Sequence, residues 1–525
     1  MKRRLLYALF GVLATLVGVA TGHFVAALLN PASSPVLAVG SQVIDLTPTP
    51  MKEWAIRQFG DRDKAILIGS VMAGVLLLAA VAGVLARRSL RLGAGLLLVL
   101  VAVAGFTAMN RPTAELVDVV PSVAAAISGV AALWLLDRTA RPAATRAPAP
   151  TSKPAEHPME HLMPGADPAA TAPSRRGVLV ATGALALAAA ALGGAGRYIG
   201  RVRTRLENIS LPAPADPAPA FPTGLESQFD GITPFRVSNE DFYRVDTRLD
   251  VPIVDQDEWT LTIDGDVDRE VTLTYDDILA MDLIERDITL TCVSNSVGGK
   301  YVGGARWLGV RLTDLLDLAG VGTAADQIFA TDVDGMTIST PLALATDGRD
   351  AMLAVGMNGE VLPREHGFPA RVVIPGLYGF ISATKWVTRL TLTTYEEKTA
   401  YWTERDWATD APIKISSRID TPKALAQLEP GEVVIGGVAW AQQNGGVATV
   451  QVRIDGGGWQ DAELGPSAGN DYWRQWFYRW DARDAGQHTV AARVVDGNGN
   501  EQATVRATPF PEGASGIQEL IVTVT

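Results

Sequence analysis

Long apolar stretches alternate with shorter polar segments in the N-terminal part of the chain. The apolar stretches lie at residues 1–29, 65–86, 92–109, 119–136 and 177–194. Each is close to the roughly 20 residues that a helix needs to cross a bilayer. We therefore predict four transmembrane helices within residues 1–136 and a fifth within residues 177–196. The basic start of the first stretch is also typical of a signal peptide, but the later stretches favour a retained helix. Residues 30–64 are predicted to form a polar loop.

Basic residues predict the orientation of these helices. Positive charges concentrate at the N-terminus, at residues 87–91 and at Arg175–Arg176, and such flanks stay in the cytoplasm. The Pro- and Ala-rich residues 137–176 are then a cytoplasmic linker, and everything after Arg197 lies outside. Residues 197–205 are basic and conflict with this simple rule. We expect a multi-pass protein of the cytoplasmic membrane, in contact with lipid, whose C-terminal part is extracytoplasmic.

The segment Ser174–Arg175–Arg176–Gly177–Val178–Leu179 resembles a twin-arginine export motif. It is internal and lacks the usual phenylalanine, so a charged stop before a helix is the alternative interpretation. Use of the motif would mean export of an already folded domain, as proteins loaded with a cofactor require.

The rest of the chain divides by its patterns. Residues 197–223 are a second Pro/Ala-rich linker, and residues 224–394 mix strand and helical patterns, which predicts an α+β domain. A polar and aromatic connector covers residues 395–412. Short strands separated by Gly- and Asn-containing turns follow over residues 413–525 and predict an immunoglobulin-like sandwich. Three tryptophans of one predicted strand either fill the sandwich core or a subunit contact, or form a binding platform: Trp473, Trp476 and Trp480.

Composition excludes several function classes. The net charge is −12, and nucleic-acid binding requires a basic surface. The single cysteine rules out a disulfide, a Cys-rich zinc site, a Cys-ligated iron–sulfur cluster and a CxxCH haem attachment. Of the five histidines only His23 lies in an apolar stretch, so a bis-histidine haem in the membrane is not supported. We predict neither haem nor an iron–sulfur cluster.

The single cysteine, Cys292, follows a β-branched, apolar run and precedes a glycine-rich turn. A thiol at a strand end beside such a loop is placed to meet a ligand that approaches the backbone. A lone cysteine is also often a small buried hydrophobe. In an extracytoplasmic domain an unprotected thiol tends to oxidise, whereas a thiolate bound to a soft metal is protected.

A second dense stretch runs from His366 to Trp386. His366, Arg371, Ser382 and Lys385 all lie close to Gly or Pro. Arg and Lys together suit a phosphate group, Arg through bidentate hydrogen bonds and Lys as a point charge. A thiolate, an imidazole and a phosphate-binding pair predict a site for a large anionic metal cofactor.

These residues carry a family resemblance. Residues from about 241 to 392 resemble the molybdopterin-binding domain of the sulfite oxidase family, through TLTCVSN, ARWLGVRLTDLLDLAGV and MNGEVLPREHGFPARVVIPGLYGFISATKW. Residues 420–525 resemble the C-terminal dimerisation domain of that family, through GGVAW, VQVRIDGGGW and HTVAARVVDGNGNEQ. The resemblance implies an oxidoreductase with Mo-molybdopterin and allows a homodimer, and the predicted transmembrane helices would anchor it in the membrane.

The resemblance also implies roles for individual residues. Cys292 would be the thiolate that ligates molybdenum, and Arg244 would lie near the cofactor and steer an anionic substrate. Residues implied to hold the pterin or its phosphate are Tyr243, Asn295, Asp332, His366, Arg371, Ser382 and Lys385. Of these, Ser382 and Lys385 require a one-residue insertion in the alignment.

Two departures from the family pattern leave the reaction open. Ser296 stands where an arginine is usual, and Met336 and Thr337 stand where a tyrosine is expected. The first interpretation is oxygen-atom transfer to or from a small sulfur compound such as sulfite. Reduction of an S-oxide or N-oxide is the alternative, and a cofactor-free, membrane-anchored binding module is the second alternative. Either redox reaction requires a separate electron carrier, a cytochrome or a quinone-linked protein.

Overall fold

A computed structural model describes residues 2–48, 51, 54–55, 58–59, 63–140, 175–203 and 209–525. Most of the predicted cytoplasmic linker, residues 141–174, lies outside the described residues. The chain forms two compact units. The first contains residues 1–205 with Thr247–Asp250, and the second contains Leu206–Asp246 with Val251–Thr525.

The first unit is helical. Its helices are α1 Lys2–Leu28, α2 Pro35–Leu46, α3 Asp63–Ala86, α4 Leu90–Met109, α5 Val120–Ala140 and α6 Arg175–Arg203. Helix α1 packs against α3, α5 and α6. A side chain at Gly11 or Gly83 would overlap the backbone of the facing helix, so these two glycines let α1 and α3 touch closely, as in many membrane helix pairs.

Five helices of the described residues are long and apolar enough to cross a membrane. Their spans are Arg3–Leu28, Lys64–Ala86, Leu90–Met109, Leu116–Ala140 and Arg176–Ile199, which confirms the five predicted apolar helices. The predicted polar loop at residues 30–64 is wrong for Pro35–Leu46, which is helical. This helix is too short to span a bilayer, but Pro35 suits its first turn and its apolar residues pack against α4.

The α+β part of the second unit contains a mixed sheet and an antiparallel sheet. Its strands are β1 Thr260–Gly265, β2 Val271–Thr274, β3 Leu283–Thr291, β4 Val302–Arg311, β5 Gln327–Asp332, β6 Thr337–Pro341, β7 Met352–Met357, β8 Glu360–Val361, β9 Arg371–Val373 and β10 Val387–Thr393. Its helices are α7 Tyr275–Leu279, α8 Leu312–Ala319, α9 Leu342–Ala345 and α10 Gly379–Ser382. The mixed sheet has the order β2-β1-β10-β5-β6, in which β1 and β10 are parallel, and the antiparallel sheet has the order β3-β4-β7-β8 with β9 paired to β7. The second sheet carries Cys292 directly after β3 and Arg371 at the start of β9.

The C-terminal part is all-β, as predicted. Its strands are β11 Ser416–Thr421, β12 Gln427–Leu428, β13 Gly431–Trp440, β14 Val447–Ile454, β15 Gln460–Asp461, β16 Glu463–Leu464, β17 Arg474–Ala482, β18 Gly486–Asp496 and β19 Gln518–Val524. The sheets β11-β13-β17-β16 and β12-β19-β18-β14-β15 enclose one core that includes Ile435, Val450 and Val522. Trp476 is fully buried in this core, and Trp480 packs against it partly buried. Trp473 precedes β17 and is fully buried in the core of the α+β part instead, so the sandwich-core interpretation is correct for Trp476 and wrong for Trp473.

The sandwich contacts β3 close to the cysteine. The Trp473 N–H donates to Thr289 Oγ1 at 2.9 Å, and the Gln442 side-chain amide donates to the Thr289 carbonyl at 2.6 Å. A Cβ on Gly304, which pairs with Thr289 across the sheet, would lie 2.5 Å from the Tyr472 ring. The strand that delivers Cys292 is therefore fixed from both domains.

Ala215, Asp216 and Ala218, inside the predicted second linker, lie along β3. The Ala215 N–H donates to the Leu283 carbonyl at 2.8 Å, and the Glu285 N–H donates to the Asp216 carbonyl at 2.9 Å. The Asp216 carboxylate also pairs with Arg286 and Arg311. The absence of apolar periodicity made this segment read as a linker, but backbone hydrogen bonds and ion pairs need no such periodicity.

Candidate active site

Cys292 is buried at the end of β3 in a loop held by its own backbone. The Cys292 N–H donates to the Tyr301 carbonyl at 2.9 Å, and the Cys292 carbonyl accepts from the Asn295 N–H at 3.0 Å. The Asn295 side-chain oxygen accepts the Tyr301 N–H at 2.9 Å. Asn295, predicted to bind the cofactor, thus braces the loop that positions the thiol.

Burial raises the pKa of the Cys292 thiol. Hydrogen bonds from Ser294 and the positive charge of Lys385 act in the opposite direction but do not cancel the effect. The free thiol is therefore protonated at neutral pH. A bound metal ion would replace this proton, because thiolates and not thiols are metal ligands.

Arg371, at the start of β9, is a buried guanidinium without a matching carboxylate. Its side chain donates to the His366 carbonyl at 3.1 Å and lies over the Trp307 ring at 5.1 Å, while its Nε has no hydrogen-bond partner. Burial lowers its pKa to about 10. In the part of the chain that the structure describes, no acidic side chain forms a salt bridge with Arg371. A buried cation of this kind is costly unless an anion binds beside it.

Lys385 and Arg244 share one carboxylate. Asp246 Oδ2 lies 2.6 Å from Lys385 Nζ and 2.7 Å from Arg244 Nε. Burial lowers the pKa of Lys385 to about 8, against the opposing effect of Asp246, and the charges of Arg371 and Arg244 lower it further. Lys385 is thus influenced by the positive charges of Arg371 and Arg244 and by the negative charge of Asp246.

His366 lies in the 3₁₀ turn Arg364–His366 and is buried. Its Nε2 contacts the Asn239 carbonyl at 2.8 Å, so Nε2 carries the proton and donates. Burial lowers the pKa of His366 to about 4, and the nearby charges of Arg371 and Lys385 lower it further. The ring is therefore neutral at pH 7, and its Nδ1 is the nitrogen whose lone pair accepts.

A glycine brings the two strongest candidate phosphate ligands together. Gly367 has φ +117, which L side chains rarely adopt. A Cβ at Gly367 would lie 3.0 Å from the Cβ atoms of both Arg371 and Lys385. Replacement by alanine would strain the backbone and push the two cations apart.

The sheet glycine Gly303 seats the segment that carries Tyr243 and Arg244. A Cβ at Gly303 would lie 2.9 Å from the Phe242 ring, which stacks on Tyr243 with ring centroids 5.1 Å apart. Burial raises the pKa of the Tyr243 phenol; the nearby Cys292 raises it further, and Arg371 lowers it. Tyr243 is therefore a protonated phenol near both the thiol and the buried guanidinium.

Two predicted cofactor ligands have local backbone partners. Asp332 Oδ1 accepts the N–H groups of Asp334 and Met336 at 2.8 and 2.9 Å, which closes the turn after β5. Ser382 Oγ donates to the carbonyls of Leu377 and Tyr378 at 3.0 Å. These contacts give both side chains a structural function, and their predicted contacts with a cofactor stay predictions.

The structure adds two residues that the sequence interpretation missed. Asp246 joins the site through a contact with Lys385 that spans 139 residues of sequence, and no local pattern reveals such a pair. Tyr378 is buried near the thiol: burial raises its pKa to about 12, and Cys292 contributes to the increase. Tyr378 lies within the dense stretch from His366 to Trp386 that the sequence already singles out, so its position indicated a place in the site.

These residues fit an anionic cofactor that brings its own metal ligands. Among the described residues no group of three or more His, Cys, Asp or Glu side chains could hold a metal ion. One thiol, Cys292, is thus suited to complete a coordination sphere begun by other donors. The orphaned Nε of Arg371 and the buried ammonium of Lys385 fit a phosphate group.

Comparisons with known proteins agree with this chemistry. Residues 248–402 match the family model "Oxidoreductase molybdopterin binding domain". The chain is 34% identical over 258 residues to the mitochondrial sulfite oxidase of Rattus norvegicus, which covers 41% of this chain and 47% of that protein. It is 28% identical over 317 residues to the NAD(P)H nitrate reductase of Hordeum vulgare, covering 49% of this chain and 34% of that protein.

Among solved structures, the sulfane dehydrogenase SoxCD from Paracoccus pantotrophus matches with a TM-score of 0.49 and 24% identity, covering 57% of this chain and 85% of that chain. The chain spans about half the length of the first curated relatives it matches. It thus contains a molybdopterin-binding oxidoreductase domain that is homologous to part of the sulfite oxidases.

Proposed function

We propose that this protein is a molybdenum-cofactor oxidoreductase that moves an oxygen atom to or from a small sulfur compound. The main support is that the single cysteine and a buried arginine, for which no described acidic side chain forms a salt bridge, both lie near one tyrosine. Cys292 and Arg371 both influence the same buried phenol, Tyr243. A soft-metal ligand and an anion-binding group at one site are what Mo-molybdopterin requires.

Each residue has a separate part in this proposal. When bound, the molybdenum cofactor would supply the two-electron redox chemistry and the position at which oxygen is exchanged. Cys292 would give electron density as a thiolate, while Arg371 and Lys385 would neutralise the phosphate. The neutral His366 and the protonated Tyr243 would hydrogen-bond the pterin without adding charge, and Arg244 would face the substrate.

Metal and pterin analysis of the purified full-length protein tests the proposal. From a host that makes the cofactor we expect close to one molybdenum and one pterin per chain. Turnover assays with sulfite and with methionine sulfoxide then determine the direction of oxygen transfer. Protein without molybdenum or pterin would contradict the proposal and favour a binding module.

Reduction of an S-oxide or N-oxide is the second candidate. Ser296 stands where the sulfite oxidase resemblance expects an arginine, and Met336 and Thr337 stand where it expects a tyrosine. One relative is named for the reduction of nitrate, so a similar domain occurs in an enzyme that runs in the reductive direction. In either direction a separate electron carrier, a cytochrome or a quinone-linked protein, would be the redox partner.

We also propose that the five long apolar helices anchor the protein in the cytoplasmic membrane, with the catalytic domain outside. The helix lengths and the basic flanks of the sequence support this orientation. A homodimer through the sandwich is supported by the sequence resemblance alone. We expect a reporter tag at Thr525 to be labelled by an impermeant reagent in intact cells. Labelling only after lysis would contradict the orientation.

A further inference from the structure

The helical unit carries an open groove between α4 and α5. The groove has a volume of about 630 Å³, which lies within the range of roughly 300–1,000 Å³ that is typical of ligand sites. Nearly all of its lining side chains are apolar, and the exception is one arginine. The lining includes Arg91, Ala94 and Leu98 of α4 and Ile127, Ala131 and Trp134 of α5.

The groove has the length of one membrane leaflet. Arg91 and Leu98 span about two turns of α4, or roughly 11 Å along the helix axis, and Ile127 and Trp134 span the same distance along α5. Half of the hydrocarbon core of a bilayer is about 15 Å thick. The apolar part of the groove can therefore hold most of one acyl chain.

Two arginines lie at one end of the groove without a counterion. Arg91 lines this end, and the guanidinium of Arg138 lies 5.2 Å from the centre of the Trp134 ring. Both arginines are exposed, and among the described residues neither has an acidic partner. The neighbouring carboxylate of Asp137 is buried and accepts the Tyr7 hydroxyl at 3.0 Å. This end of the groove is thus positively charged.

We propose that the groove binds an anionic phospholipid such as phosphatidylglycerol, with one acyl chain between α4 and α5 and its phosphate at Arg91 and Arg138. Guanidinium groups bind phosphate through paired hydrogen bonds, and basic pockets beside membrane helices take anionic head groups. Trp134 has the position that tryptophan favours, at the level of the head groups. A free phosphate ion would leave the apolar groove unfilled, and a neutral lipid would leave both arginines without a counterion.

This inference rests on the proposed membrane anchoring and is independent of the redox chemistry. Native mass spectrometry of the full-length protein in detergent tests it with three probes: phosphatidylglycerol, phosphatidylcholine with the same acyl chains, and inorganic phosphate. We expect one tightly bound phosphatidylglycerol per chain. Its affinity should exceed that of phosphatidylcholine by at least about tenfold, because each arginine close to an anionic lipid contributes roughly fivefold.

Two arginine variants separate a specific site from general surface charge. Arg91→Gln should weaken the binding of phosphatidylglycerol about fivefold and leave that of phosphatidylcholine unchanged. Arg88→Gln is the matched control, because Arg88 is exposed in the same basic turn but does not line the groove. The control should bind phosphatidylglycerol within about twofold of wild type, since its charge is not at the phosphate position.

A second pair of variants tests the groove itself. Ala131→Phe places a ring in the groove and should abolish the tight binding of phosphatidylglycerol. Val123→Phe is its control, because Val123 is exposed on the same helix and lies outside the groove lining. This control should bind the lipid as wild type does. Unchanged circular dichroism confirms that the variants are folded.

Several results would overturn the inference. Equal affinities for the two lipids, or equal losses in Arg91→Gln and Arg88→Gln, would show that no site selects the anionic head group. Inorganic phosphate that binds as tightly as the lipid would assign the arginines to a free anion. A dimer that dissociates in Ala131→Phe would show that a second copy of the chain occupies the groove. Protein that dissolves without detergent would instead refute the membrane anchoring itself.

Discussion

The Cys292→Ser protein is expected to lose more than about a hundredfold of its oxygen-transfer activity while its fold stays intact. Removal of residues that only support a metal ligand costs 10- to 100-fold, and loss of the ligand itself should cost more. Serine is close to cysteine in size but is a hard and weakly acidic ligand, so it cannot replace a thiolate on a soft metal. The measurements are turnover, the optical spectrum of the metal and circular dichroism.

Thr291→Val provides a matched control for this substitution. Thr291 is the adjacent residue, and its hydroxyl is buried without a hydrogen-bond partner. Replacement of such a hydroxyl by a methyl group of the same shape is expected to be neutral or stabilising. Full turnover in Cys292→Ser, or equal losses in both variants, would support the alternative in which Cys292 is only a small buried hydrophobe.

The Arg371→Met protein is expected to lose the cofactor and yet to keep or gain stability in its cofactor-free form. Burial of an unpaired cation is destabilising, and an apolar side chain of similar volume often restores stability. Loss of one partner of a buried charged contact costs about 2–5 kcal/mol, so molybdenum content should fall below about a tenth of wild type. The measurements are metal content and the melting temperature of the cofactor-free protein.

Arg389→Met is the control for the arginine substitution. Arg389 is 48% exposed on β10 and pairs with Asp264, so its loss should leave molybdenum content unchanged. Retained molybdenum together with a lower melting temperature in Arg371→Met would show that Arg371 has a structural role. An anion-binding role for Arg371 predicts that Arg371→Met loses molybdenum while its cofactor-free form keeps or gains stability.

The sequence predicted the elements whose patterns are local. The long apolar runs identify the five helices because a bilayer requires both length and uniform hydrophobicity. The short strands of the sandwich alternate apolar and polar residues between Gly- and Asn-containing turns, and they occur where predicted. Pro35–Leu46 was missed because it is too short for a spanning helix. The hydrogen bonds of Ala215 and Asp216 with β3, inside the predicted second linker, have no apolar pattern from which they could be predicted.

The sequence predicted which residues belong to the site better than it predicted what each of them contacts. Cys292 precedes a glycine-rich turn, and Arg371 and Lys385 lie in a stretch rich in Gly and Pro, which indicates close approach of a ligand. The local hydrogen bonds of Asp332 and Ser382 depend on turn geometry, which a motif does not specify. Asp246 depends on a contact between segments 139 residues apart, so only the folded structure reveals it.

Because Cys292 is the single cysteine of the chain, its reactivity would show whether an individual molecule holds the molybdenum cofactor. An alkylating reagent reacts with the thiolate, and because burial raises the pKa of Cys292, high pH makes the free cysteine of a molecule without cofactor reactive. A sulfur bound to metal is protected as long as the fold is intact. After labelling in the native state at high pH, each chain carries either one alkyl group or none, and no second thiol contributes. Intact-protein mass spectrometry can then count filled and empty molecules within a single preparation.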